Sequence, residues 1–117
     1  MGNLELKFRD LKLTFLEEVI LLTILDEARY GQSIVEAVSA ASGGSCQLNP
    51  GTLYPALQRL QDRGLIQIQH VQKNVAVRNG HCRRYYQATS KGKEAITEME
   101  KIRSYIRSPN GVTQVSF

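Results

Sequence analysis

Residues 49–66, NPGTLYPALQRLQDRGLI, predict a short helix with one face to bury and one face to expose. Leu53, Leu57 and Leu60 recur at spacings of four and three residues, which places them on the same helical face. That apolar face can pack against neighbouring helices. The opposite face is polar and carries Tyr54, Gln58, Gln61 and Asp62. The segment therefore predicts an amphipathic helix whose outer surface is available to a partner.

The limits of this helix follow from its prolines and its glycine. Proline disrupts a helix interior, but the N–H groups of a first turn have no internal partners, so Pro55 predicts a start near Thr52. Either Asn49 or Thr52 can serve as the N-cap. Gly64 supplies the left-handed residue that commonly ends a helix, and residues 65–71 follow at strand-like spacing. The order of helix, glycine and strand suits a helix that lies in a DNA groove.

Two separated motifs in the chain resemble the signatures of a known family. GTLYPAL at 51–57, RL at 59–60 and GLI at 64–66 resemble the first signature of the PadR family of bacterial transcriptional regulators. RYYQAT at 84–89, with KGK at 91–93, resembles that family's second signature. Two motifs at the right separation argue against a chance match.

The resemblance runs from about residue 15 to about residue 105 and implies an α+β, mostly α fold. The implied fold is a winged helix-turn-helix with a two- to three-stranded antiparallel wing sheet and a C-terminal dimerisation helix. The implied function is that of a homodimer that binds a palindromic operator in double-stranded DNA and usually represses a promoter. The short length resembles a compact branch of the family that includes a modifier of the circadian clock, so a clock gene is one expected target. RYGQSI at 29–34 departs from the family's usual HGYEI run, which puts the contacts of the missing histidine and glutamate in doubt.

The length and composition fit one domain. The 117 residues suffice for one modest core, and 42% hydrophobic with 22% charged residues are ordinary for a soluble protein. We expect an N-terminal arm over 1–13, a winged-helix DNA-binding and dimerisation domain over 14–107, and a C-terminal tail over 108–117. No apolar run approaches the roughly 18 residues of a membrane helix, and the charged N-terminus does not resemble a secretory signal. The sequence thus predicts a cytoplasmic protein that does not engage a membrane.

The remaining elements follow from capping residues, breaks and apolar spacing. Helix one begins at a Thr14 cap, with Glu17 in capping-box position, and runs to about Ala28. Helix two runs from Gly31 to the break at 42–45, and an edge strand follows at 46–48. A final helix of about 18 residues follows a Thr89 cap. Helix one and the final helix each carry an apolar stripe, which by itself is most often core. The family resemblance implies that these stripes form a dimer interface. Its candidate residues are Phe15, Leu16, Val19, Ile96, Met99, Ile102, Tyr105 and Ile106.

Positive charge is concentrated in the second half of the chain. Residues 1–69 hold six basic and eight acidic residues, a net charge of −2, whereas residues 70–117 hold nine basic and three acidic residues, a net charge of +6. Between the two predicted wing strands the charged residues include Lys73, Arg78 and Arg83 and no acid. A basic segment of this kind can be a solvated hairpin, but after a groove-binding helix it favours a wing that contacts phosphates.

The predicted DNA contacts lie on helix three, over 52–63, and on the wing. A glutamine amide such as that of Gln58 can pair with adenine, and Thr52 can contact a phosphate or a thymine methyl group. The Tyr54 hydroxyl can reach a phosphate, or its ring can pack on helix two. Arg59 can hold a phosphate or form a surface salt bridge, as can Arg63. The candidate DNA-binding residues are Asn49, Thr52, Tyr54, Gln58, Arg59, Lys73, Arg78 and Arg83.

Three other classes of function would each leave a mark in the sequence. An enzyme is not expected, because the chain lacks a glycine-rich phosphate loop, a nucleophile elbow and a carboxylate pair with a nearby base. A metal- or redox-sensing regulator would use Cys46, Cys82 and His81, with His70, but their spacing matches no metal motif. A winged-helix module that binds another protein stays open because the net charge is modest. No cofactor is expected, and the sequence defines no site for a small-molecule effector.

Overall fold

The computed structural model describes residues 11–73 and 82–108, and for 70–73 and 82 it describes the backbone alone. Most of the predicted arm, Arg78, His81 and residues 109–117 lie outside the described residues. The described elements are α1 (Phe15–Thr23), α2 (Gly31–Ala41), α3 (Pro50–Asp62), β1 (Ile66–Lys73), β2 (Cys82–Ala88) and α4 (Ser90–Arg107). The two strands form one antiparallel sheet. This mostly helical α+β architecture confirms the predicted fold class.

The start of α1 is as predicted. Thr14 accepts a hydrogen bond from the Glu17 amide at 3.0 Å, and the Glu17 carboxylate accepts one from the Thr14 amide at 3.1 Å. This capping box satisfies two N–H groups that a helix start leaves without partners.

The end of α1 differs from the prediction, because the helix stops five residues before Ala28. The residues after it bond to the sheet instead. The Ile24 carbonyl accepts from the Ala88 amide at 3.0 Å, and Arg29 and Tyr86 exchange backbone hydrogen bonds of 3.0 and 2.8 Å. A helix that continued to Ala28 would need the Ile24 carbonyl for its own i to i+4 bond, so this bond to β2 takes the place of a helical one.

The predicted edge strand at 46–48 is wrong. Hydrogen bonds to the preceding break hold this segment: the Cys46 amide donates to the Ser42 hydroxyl at 2.9 Å, and the Gln47 side chain donates to the Gly44 carbonyl at 3.1 Å. Such local side-chain bonds compete with strand pairing. α2 itself begins and ends as predicted, at Gly31 and just before the break.

One core unites all four described helices with the sheet. Its fully buried side chains include Ile20 and Leu21 of α1, Ile34 of α2, and Ala95 of α4. The start of α4 packs so closely on the chain before β1 that a Cβ at Gly92 would overlap the Leu65 carbonyl oxygen. None of the described helices is long and apolar enough to cross a membrane.

Candidate nucleic-acid interface

α3 is fixed by its inner face and presents its outer face. Leu53, Leu57 and Leu60 are at most 1% exposed, and burying each such side chain contributes roughly 1.5–3 kcal/mol to stability. The helix begins at Pro50, two residues earlier than predicted, because Asn49 is the cap: its side chain accepts from the Thr52 amide at 3.0 Å. Asn49 is thus occupied with α3 itself.

The outward side chains of α3 are those that the sequence predicted. Thr52, Tyr54 and Gln58 are exposed, and Gln58 donates a hydrogen bond to the Asp62 carboxylate one turn later at 2.9 Å. If the Gln58 amide nitrogen donated to a base, that hydrogen bond would replace the one to Asp62. Gly64, with a φ of +74°, ends the turn after the helix in the left-handed conformation, as predicted.

The Tyr54 ring packs on helix two, the second of its two predicted roles. A Cβ at Gly31, the first residue of α2, would overlap the Tyr54 hydroxyl oxygen. The glycine therefore allows the ring to lie against the start of α2, while 49% of Tyr54 remains exposed. The exposed part leaves room for an outer contact as well.

The two arginines near the end of α3 both meet a carboxylate of α1. Arg59 Nε lies 2.6 Å from Glu17 Oε2, and Arg63 Nη1 lies 3.5 Å from Glu17 Oε1. Burial works to raise the pKa of Glu17, but the hydrogen bonds from Arg59 and the Thr14 amide, with the two guanidinium charges, together lower that pKa below its ordinary value. Arg59 is therefore in the salt-bridged state that was one of its two predicted alternatives.

Glu17 was missed as part of the site. Its capping-box spacing to Thr14 accounted for it fully as a local feature, so the sequence offered no reason to seek a second role. It is nevertheless the buried charged residue of the described chain, with 4% of its surface exposed.

The base of the wing holds one of the predicted cations in a defined place. The Arg83 guanidinium lies over the Tyr30 ring, 4.4 Å from its centroid, and the Tyr30 and Tyr85 rings meet edge to face at 5.5 Å. Such cation–π contact orients a charge without neutralising it. Lys73 is paired with Cys82 at the end of the described ladder, and Arg78 lies outside the described residues.

The predicted dimer-interface residues divide into two groups. Ile96 and Met99 are buried within their own chain, and Leu16 and Val19 are partly buried against its core. The exposed members are Phe15 at 72%, Ile102 at 41%, Tyr105 at 48% and Ile106 at 72%. Phe15 and Val19 also line an open apolar groove of about 500 Å³ between α1 and the end of α2, together with Leu22, Val38, Ala41 and Cys46.

α4 is tied to α1 by an ion pair beside this apolar surface. Arg103 donates to both carboxylate oxygens of Glu18, and its Nη2 lies 2.7 Å from Oε1. Glu17 and Glu18 thus bind arginines of two different helices.

Most of the side chains that a metal or redox site would use lie outside the described residues. Of its candidates, Cys46 is described; it is a free thiol, half-buried at the apolar groove. Within the described part of the chain, no three histidine, cysteine or acidic side chains come together as metal ligands would.

A helix with a polar outer face, seated on a helical core and followed by a two-stranded wing, defines a winged-helix DNA-binding fold. The sequence profile of the transcriptional regulator PadR-like family matches residues 20–98. The chain belongs to that family, which places it among transcriptional regulators and not among enzymes.

The chain is also similar to individual proteins and to a solved structure. An uncharacterised protein of Lysinibacillus sphaericus is 35% identical over 86 residues, which are 74% of this chain and 75% of that protein. A transcriptional regulator of Mycobacterium tuberculosis is 42% identical over 52 residues, 44% of each chain. The crystal structure of a PadR-like transcription factor from Bacteroides fragilis superposes with a TM-score of 0.68 at 27% identity, over 86% of this chain and 89% of that one.

Proposed function

We propose that this protein is a homodimeric repressor that places α3 in the major groove of a palindromic operator and its wing on the DNA backbone. The observation that carries the proposal is the contrast between the two faces of α3. Leu53, Leu57 and Leu60 are sealed in the core, whereas Thr52 and Gln58 are exposed on a rigid helix. A helix held in this way presents its outer side chains to base edges at little entropic cost.

The proposed contacts divide into base and backbone contacts. Gln58 contacts a base, adenine being the partner that its amide fits, and Thr52 contacts a phosphate or a thymine methyl group. The N–H groups at the start of α3 favour a phosphate. Arg83, held over Tyr30, contacts the backbone beside the wing. Lys73 and Arg78 are proposed as further phosphate contacts on the strength of their charge alone.

Selection of bound sequences from random DNA tests the proposal and supplies the operator. On that operator, Gln58→Ala should lower the preference over random DNA by about 1–3 kcal/mol. Gln32→Ala, the same change at an exposed position of α2, is the matched control and should leave the preference unchanged. An equal loss on both DNAs for Gln58→Ala removes it from base contact, and a shallow salt dependence for the parent favours a protein-interaction module instead.

The dimer is proposed from exposed apolar surface. Ile102, Tyr105 and Ile106 form one stripe on the half of α4 that extends beyond the core, and the α1 groove that begins at Phe15 is apolar and open. A two-fold dimer in which each α4 stripe covers the partner's groove would bury both surfaces.

Light scattering tests this assembly. Ile106→Asp should convert the dimer to a monomer, because it places a charge in a surface that the partner covers. Ser104→Asp adds the same charge to the same helix beside the stripe and should leave the mass unchanged. A parent that is already monomeric, or an Ile106→Asp variant that stays dimeric, contradicts this interface.

Repression is the proposed outcome of binding, since a dimer seated across a promoter occupies DNA that polymerase needs. A reporter driven by the selected site should be less active with the protein than without it, and a scrambled site should not respond. A circadian clock gene stays a predicted target, to be compared with the selected sequences.

A further inference from the structure

Arg59 and Arg63 lie at the end of the helix that we propose to bind DNA, where free cations would contact phosphates. A groove-binding helix with Arg59 and Arg63 spaced four residues apart carries two cations on one flank. Both are nevertheless directed to a carboxylate on another helix, Glu17 of α1.

The Glu17 carboxylate is fully used in this arrangement. Oε2 accepts the 2.6 Å bond from Arg59, while Oε1 accepts from the Thr14 amide and lies 3.5 Å from Arg63 Nη1. Arg63 Nη1 also donates to the Lys12 carbonyl at 3.1 Å. Glu17 is only 4% exposed, whereas half of the Arg59 side chain is exposed, so the carboxylate restrains the Arg59 guanidinium from its buried side.

Free cations at this position would have a definite effect on DNA binding. An arginine beside the groove attracts the phosphates of any sequence and so adds affinity that carries no sequence information. The adjacent outward carboxylate, Asp62, opposes the same attraction and also holds Gln58. The charges of Arg59 and Arg63 are therefore offset by those of Glu17 and Asp62, and the further cation here is Lys91, which donates to the Arg63 carbonyl at 3.3 Å.

We infer, on the basis of the proposed DNA binding, that Glu17 is a specificity-determining residue: it holds Arg59 and Arg63 away from DNA phosphates and keeps non-specific binding by α3 weak. Its position is set by the capping box at the start of α1, so the device is part of the fold and is present before DNA arrives. It leaves discrimination to the outer face of α3.

The test measures binding to a short duplex of random sequence over a range of salt concentrations. Glu17→Gln keeps the size of the side chain but removes its charge, so it should bind random DNA more tightly. The slope of log affinity against log salt should steepen by about 0.9 for one new phosphate contact and by about twice that for two. Preference for the operator should fall correspondingly.

Glu18→Gln is the matched control. It removes the same charge from the adjacent residue, which binds Arg103 of α4 and not an arginine of α3. Its salt slope should equal that of the parent. An unchanged or shallower slope for Glu17→Gln, or the same steepening for Glu18→Gln, overturns the inference.

A second set of variants does not depend on Glu17→Gln being well folded. In the parent background, Arg59→Gln should leave the salt slope on random DNA unchanged, because that arginine contacts no phosphate. A slope that becomes shallower by about 0.9 shows that Arg59 already binds the backbone and overturns the inference. Adding Arg59→Gln and Arg63→Gln to Glu17→Gln should return the slope to that of the parent.

The salt dependence of the parent protein distinguishes failure of the proposed DNA binding from failure of the role of Glu17. If the parent binds no duplex, both the proposed function and the role of Glu17 fail. If the parent binds with a normal salt dependence and the Glu17 variants behave like their controls, only the role of Glu17 fails.

Discussion

The end of α3 and strand β2 each hold two arginines, but the surroundings of the two pairs differ. Arg59 of α3 and Arg63, which caps the helix, meet the buried carboxylate of Glu17. On β2, Arg83 lies over an aromatic ring and Arg84 is exposed. An ion pair cancels a charge, whereas a ring face orients it and leaves it available. We therefore predict that the cations of residues 70–117, which carry a net charge of +6, contact phosphates and that Arg59 and Arg63 do not.

The largest expected effect comes from unseating α3. Leu57→Ala should lower the free energy of unfolding by about 2–5 kcal/mol, because it removes a core side chain that is 1% exposed and leaves a cavity. Urea denaturation measures the loss. Gln58→Ala, the adjacent residue on the outer face, should cost less than about 0.5 kcal/mol. Equal losses for the two variants would mean that α3 does not have the two distinct faces on which the comparison rests.

The inner and outer faces of α3 were predictable from sequence, but the state of its arginines was not. The spacing of Leu53, Leu57 and Leu60 is a local periodicity that any helix must express. The bond between Arg59 and Glu17 joins residues 42 apart, and no local pattern specifies which distant carboxylate an arginine will meet.

The same limit explains the other differences. Hydrogen bonds from β2 to Ile24 and Arg29 end α1 early, and these depend on tertiary placement. In α4, the apolar spacing that joins Ile96 to Ile106 is one continuous stripe in the sequence. Only the fold shows that its first half lies in the core and its second half is exposed, because a stripe has the same spacing whatever covers it.

At acid pH, Glu17 should become protonated and should no longer offset the charges of Arg59 and Arg63. At neutral pH, Glu17→Gln should cost about 1–2 kcal/mol of stability, since charge-assisted hydrogen bonds are lost but Arg59 is half-exposed. The pKa of Glu17 in the folded chain lies below its ordinary 4.5, so the unfolded chain takes up the proton first as the pH falls. The contribution of Glu17 is therefore complete well above pH 4.5 and is lost as the pH falls through the folded pKa.

Chemical denaturation of the parent and Glu17→Gln at neutral and acidic pH measures this difference. The two free energies of unfolding should converge in acid. A gap that stays constant would mean that Glu17 stabilises the fold by packing rather than by its charge.

Arg83 is the described wing cation that we expect to contact a phosphate. Arg83→Gln should weaken binding to operator and random DNA alike, and should make the salt slope shallower by about one, because a phosphate contact is lost. Lys101→Gln, an exposed cation on α4 that faces Glu98, is the control for net charge and should change neither quantity. Loss of operator preference without loss of random binding would instead place Arg83 at a base.

The smallest expected effect concerns the ring beneath Arg83. Tyr30→Leu removes the aromatic face 4.4 Å from the guanidinium and should weaken DNA binding by about 0.5–1 kcal/mol, because Arg83 is then less ordered before binding and loses more side-chain entropy on reaching the phosphate. Tyr30→Phe keeps the face and should bind as the parent does. The salt slope of Tyr30→Leu should stay at the parental value, because Arg83 still reaches its phosphate but is less well oriented. A slope as shallow as that of Arg83→Gln would mean that the ring does more than orient the cation and that the phosphate contact depends on it.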